Sequence, residues 1–184
     1  MREKSFTWKR AFARLFLLSM IGASIMLFYL AQQPSALELG DPLPNLRFHS
    51  FKGHEHLKRD GTAATAVIYF HTSCHFCQKL LQKMNDGFES LPEASFVFLT
   101  TESDFFEADK VQAWPKLASS PRIEWGVVDQ DDVLKHLAPR VTPTAYVFSR
   151  AGRLTAKIGG ETKLSKIMSE LEKAGGPERW ISGK

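Results

Sequence analysis

The sequence predicts one α/β domain, a mixed central sheet covered by helices on both faces, preceded by an apolar N-terminal segment. Three observations carry this expectation. Residues 66–70 (Ala-Val-Ile-Tyr-Phe) and 96–99 (Phe-Val-Phe-Leu) are unbroken apolar runs, as in parallel strands buried on both sides. Around them lie stretches whose apolar residues recur at i, i+3, i+4 and i+7, the period of a helix with one buried face. Finally, residues 39–175 contain no repeat or low-complexity tract and are long enough for a single domain with its own core.

The N-terminal segment comes first in the chain and differs in kind. Residues 1–14 carry Arg2, Lys4, Lys9, Arg10 and Arg14 against Glu3 alone, and residues 15–31 carry no charge. The uncharged stretch is slightly short of the ~20 residues that span a bilayer and longer than most signal-peptide cores. Neither Tyr29-Leu30-Ala31 nor Pro34-Ser35-Ala36 presents small residues at both cleavage positions, so an uncleaved anchor is expected over a removed signal. A basic flank stays on the cytoplasmic side. The expected arrangement is a cytoplasmic segment 1–14, a single-pass anchor 15–31 in the inner membrane, a joint 32–38 and an extracytoplasmic, periplasmic domain. The basic excess of residues 1–14 equals the net charge of +4 of the whole chain. The pI near 9 therefore reflects topology, and no basic stripe with interleaved aromatics marks a nucleic-acid surface.

Within the domain, strands are expected at 66–70, 96–99 and 123–128, and helices at 74–86, 107–117 and 131–137, the last opened by acidic residues suited to a helix start. Pro115 leaves the end of the second helix open. Residues 145–148 and 154–158 flank a glycine-containing turn and form an antiparallel hairpin. Leu164, Ile167, Met168 and Leu171 then repeat a core-facing stripe, stopped by Gly175-Gly176-Pro177, and 176–184 is expected as a loose tail.

The chain has two cysteines, Cys74 and Cys77, directly after the first strand. A strand feeding a helix that opens on Cys-x-x-Cys places the first sulfur at the helix N-terminus, where the dipole and unpaired N–H groups favour a thiolate. Cys77 shares the stripe of Leu80, Leu81 and Met84 and belongs to the buried face, with Gly87 ending the helix. A structural bridge over two intervening residues removes little chain entropy. A zinc site would need ligands beyond His71, Cys74, His75 and Cys77, and no further cysteine exists. The pair reads as a redox dithiol, needing neither metal nor cofactor.

The order of these elements, with Val141-Thr142-Pro143-Thr144 before the hairpin, Gly40-Asp41-Pro42-Leu43-Pro44 at the entry and Arg150-Ala151-Gly152-Arg153 in the turn, resembles the thioredoxin fold. More narrowly it resembles the TlpA/ResA/CcmG group of membrane-anchored thiol–disulfide oxidoreductases, with its extra strand-and-helix portion between about 96 and 137. The resemblance implies a cis Thr142–Pro143 bond facing the dithiol, with Thr142 and Pro143 as the substrate-binding pair. It implies Cys74 as nucleophile and Cys77 as resolving thiol, with His75, Phe76 and His71 modulating the site. Protein substrates with cysteine pairs, a membrane or extracytoplasmic redox partner, and a role in cytochrome c or metalloprotein maturation also follow from it.

The departures are Ser73 where members often have tryptophan, and His75-Phe76 where proline often precedes the second cysteine. The buried acid of thioredoxin falls near Ile68, which cannot shuttle a proton. A histidine between the cysteines suits an oxidising couple, whereas the TlpA-like framework suits a reductant. Two other classes stay open: a peroxiredoxin-like peroxidase, though a peroxidatic threonine would stand three residues before Cys74 where His71 is, and a copper-delivery protein using the pair with His136. His54-Glu55-His56 is expected in a solvated loop.

Overall fold

The computed structural model describes residues 4–31, 37–58, 61–107, 109–161 and 163–176; within the first of these, side chains are described for 14–27. Residues 32–36 of the expected joint, residues 1–3 of the basic segment and 177–184 of the expected tail lie outside the described residues. The chain divides into two units, Met1–Ser35 and Ala36–Lys184. The described residues of the first form one helix, α1 (Lys4–Ala31). Among the described residues no helix is long and apolar enough to cross a membrane.

The second unit is built on a seven-stranded sheet: β1 (Arg47–Ser50), β2 (Gly53–His56), β3 (Ala64–Tyr69), β4 (Ala94–Thr100), β5 (Ile123–Val127), β6 (Thr144–Phe148) and β7 (Leu154–Gly159), in the order β2-β1-β5-β4-β3-β6-β7. β3, β4 and β5 run parallel, β6 runs antiparallel to β3, and β7 runs antiparallel to β6. Every residue of β3 is buried, which is why its sequence shows no alternation.

Strand periodicity then sends successive β3 side chains to opposite faces. Ala66, Ile68 and Phe70 join the core beneath α2 (His75–Asp86), α3 (Pro115–Ala118) and α5 (Leu164–Gly175), where Leu81, Met84, Leu117, Ile167 and Leu171 also pack. Val67 and Tyr69 join the other face, with Leu46, Phe48 and the Val133 and Leu137 side chains of and after α4 (Gln130–His136). On the first face the rings of Phe70, Phe98, Trp114 and Trp125 interlock, Phe98 stacking on Trp125 with centroids 4.5 Å apart. Such pairs add to the burial of their area.

Several elements differ from expectation. The helix expected at 107–117 is instead a 3-10 turn, Lys110–Ala113, followed by the short α3, because Pro115 occupies the first turn of a helix, where its missing N–H costs nothing. His54 and His56 lie on β2 rather than in a loop, and β1 and β2 form an edge hairpin pairing His49 with His54. Gly87 caps α2 by donating its N–H to the Lys83 carbonyl, at φ −92°, with no left-handed turn. Where the domain begins, the Gly40 N–H donates to the Leu154 carbonyl, the Leu154 N–H to Asp41 and the Leu43 N–H to Gly152, each at 2.8 Å. This clamps the entry segment to the start of β7.

Candidate active site

The dithiol sits where β3 hands over to α2. Cys74 is the N-cap residue, extended at φ −81° and ψ 115°, one position before the helix begins rather than its first residue. A cap residue is half outside the helix, so its side chain meets the orphan N–H groups of the first turn. The Cys77 N–H accordingly donates to Cys74 Sγ at 3.4 Å, and the Cys74 thiol reaches the Thr142 carbonyl oxygen at 3.6 Å. Thr142 and Pro143 are brought there by the segment entering β6, and the bond between them is cis.

The two thiols are poised differently. For Cys74, partial burial works to raise the pKa, but hydrogen bonds from the Cys77 side chain and N–H, Thr142 and the Phe76 backbone outweigh it and hold the thiol below its ordinary range. For Cys77, only 1% exposed among the α2 core residues, burial leads, Cys74 adds to it, and the thiol is pushed up to about 12. One sulfur is set to ionise and the other to stay protonated. Thiolate is the nucleophilic form, so the arrangement supplies an attacking sulfur at the surface and a reserve thiol behind it.

The residues expected to modulate the site separate. Phe76 is 41% exposed next to the sulfur, and its ring lies 6.0 Å from that of His75. His75 lines a groove with Thr72, Gln78, Gln82, Lys110 and Trp114. His71 is turned into the protein edge: its Nε2 lies 2.8 Å from the Tyr69 hydroxyl and its Nδ1 3.5 Å from Glu102 Oε1. Ile68 is fully buried in the core below, so the position of thioredoxin's acid is apolar here. His136, at the end of α4, belongs to the opposite face of the sheet from Cys77. Among the described residues no group of three or more His, Cys, Asp or Glu side chains could hold a metal ion.

Glu102 and Lys110 are the site residues that the sequence reading did not single out. Glu102 lies just past β4, and its carboxylate accepts the Thr72 N–H and hydroxyl, each at 2.6 Å, and Lys110 Nζ at 3.0 Å. Burial opposes its ionisation, but the bonds from Thr72 and Lys110 prevail and hold it below the ordinary carboxylate range. No motif marks an isolated acid in a loop. The available signal was position, since the carboxyl ends of parallel strands are where α/β sheets gather functional groups.

No protein-family model matches the sequence, and no curated protein does. Solved structures match it in fold. The thioredoxin domain of a thiol-disulfide oxidoreductase from Bacteroides vulgatus superposes with TM-score 0.57 at 16% identity, covering 74% of this chain and 99% of that one. A DsbF homologue from Corynebacterium diphtheriae gives 0.59 at 14%, over 73% of this chain and 87% of that one. A peroxiredoxin-like protein from Aquifex aeolicus gives 0.63 at 7%, over 77% and 90%. The domain thus has the thioredoxin-like fold, with a Cys-x-x-Cys pair where the first parallel strand meets its helix.

Proposed function

We propose that this chain is a thiol–disulfide oxidoreductase acting on protein substrates. The observation that carries the reading is the unlike setting of its two thiols, Cys74 capping α2 beside the Thr142 carbonyl and Cys77 buried one turn behind. Cys74 thiolate attacks one sulfur of a substrate disulfide and the other sulfur leaves as thiolate, taking a proton from solvent. Cys77 then gives up its proton and attacks Cys74. The products are the Cys74–Cys77 disulfide and a substrate dithiol, two electrons having passed to the substrate. Run backward, the same steps oxidise a client, and the enzyme's reduction potential against that of its partner sets the direction. A potential near about −270 mV marks a thioredoxin-like reductant and one near about −120 mV an oxidant.

Two features support an extracytoplasmic setting, with the segment 15–31, which extends beyond the residues 14–27 whose side chains are described, as membrane anchor and the N-terminus inside. Residues 15–31 are uncharged behind a basic flank, and the large side chains described there, from Leu15 to Leu18 and from Ile25 to Leu27, are exposed. Clients whose cysteine pairs must be reduced before a metal or haem is attached, as in cytochrome c or metalloprotein maturation, fit that setting. With one dithiol per chain, turnover calls for a second redox protein at the same membrane. Cys77→Ser should leave client proteins covalently trapped on Cys74, read by diagonal electrophoresis and mass spectrometry. A variant that traps nothing, in a protein that reduces hydrogen peroxide or binds copper tightly, sinks the reading.

A further inference from the structure

We propose that Glu102 is the positioning residue of the dithiol, holding the loop of His71 and Thr72 so that Cys74 caps α2 with its sulfur against the Thr142 carbonyl. The inference rests on the oxidoreductase reading and adds a residue to it. The Glu102 side chain is 16% exposed and touches the loop three times: Oε1 takes the Thr72 N–H, Oε2 takes the Thr72 hydroxyl, and Oε1 faces His71 Nδ1 at 3.5 Å. Lys110 Nζ closes on Oε2 from the other side and also bonds Asp104 Oδ1 at 2.8 Å, so one cation is shared between two carboxylates and offsets part of their charge.

The loop in turn holds the cysteine. The Cys74 N–H donates to the His71 carbonyl at 3.2 Å, and Gln78 Nε2 donates to the Thr72 carbonyl at 2.7 Å. Glu102 thus grips one side of a two-residue strap whose other side is fastened to the first turn of α2. The contacts of the Cys74 sulfur, 3.4 and 3.6 Å long, are the weak members of this chain, and a loop shift of a few tenths of an ångström opens them first. The Cys77 N–H favours the thiolate, whereas the Thr142 carbonyl, which accepts the thiol proton, favours the thiol, so the fastening of the loop sets the reactivity of Cys74 through the N–H contact.

The test is the thiolate absorbance near 240 nm of the full-length reduced protein in detergent, followed against pH, with the reduction potential against glutathione and the melting temperature measured alongside. Glu102→Ala should raise the Cys74 midpoint toward the ordinary thiol value of about 8.5 and make the couple more reducing. Glu102→Gln, which still accepts the Thr72 N–H, should restore most of both. Thr72→Val, which deletes only the hydroxyl bond, should move them the same way by less, and it keeps the test open if Glu102→Ala does not fold. A melting temperature that falls while midpoint and potential stay put overturns the proposal, as does a midpoint that falls in both Glu102 variants, which would make the carboxylate a repelling charge. The titration needs no client. Wild-type protein with a depressed midpoint but no exchange activity sinks only the oxidoreductase reading, whereas active protein with Glu102→Ala unshifted sinks only this one.

Discussion

Cys74 and Cys77 share one helix and one dipole, yet they answer to different forces. At the cap, burial is the largest single influence, but the hydrogen bonds together outweigh it and the thiol is lowered; one turn inside, burial dominates and the partner is pushed up to about 12. The helix terminus supplies a field to both, and the solvent each can reach decides which one uses it. The apolar stripe that makes α2 pack against β3 is therefore also what keeps Cys77 in reserve.

Removing the exposed member breaks this pairing most completely. Cys74→Ser should bring exchange with a small disulfide down to the uncatalysed rate, and reduced Cys77 should not replace it, because it is buried and protonated at neutral pH; the check is reduction of a chromogenic disulfide. Alkylation sharpens the contrast without mutation. A thiol reacts as thiolate, so Cys74 labelling should climb with pH and level off below the pH at which an ordinary thiol does, while Cys77 labelling in folded protein should keep rising toward about pH 12. Mass spectrometry of the peptide carrying both sulfurs reads the two separately.

Smaller effects are expected beside the sulfur. Phe76→Ala removes apolar surface that a client buries, and the loss of about 1 kcal/mol should lower kcat/KM for a protein disulfide about fivefold. Its rate with a small disulfide should hardly move. Thr142→Ala keeps the backbone carbonyl beside the Cys74 thiol but loses the side-chain hydrogen bond that helps to lower its pKa, so either rate should fall by no more than about threefold. A large effect there would mean that the hydroxyl takes part in binding.

The sequence made the layered core and the dithiol legible because both rest on period and spacing. Buried runs announce β3 and β4, and the stripe through Cys77, Leu80, Leu81 and Met84 announces α2. The β1–β2 hairpin was not legible: its strands are four residues each, rich in charge and histidine, and sit at the sheet edge, where one face suffices for packing. Glu102 was hidden for another reason. Its partners, Thr72 and Lys110, are 30 and 8 positions away, and only the parallel pairing of β3 with β4 brings the loop after each strand to the same end of the sheet.

The clamp between the entry segment and the start of β7 has a mechanical meaning. In β6, Thr144 lies opposite Tyr69 at the dithiol end, while Phe148 lies opposite Thr65, so the turn gripped by Gly40, Asp41 and Leu43 is at the far end of that strand. A pull on the chain at residue 37 loads those backbone hydrogen bonds in the first instance. Tension from the N-terminal side is thereby spent on a fastening remote from the sulfurs, and the alignment of Cys74 with the Thr142 carbonyl is shielded from it.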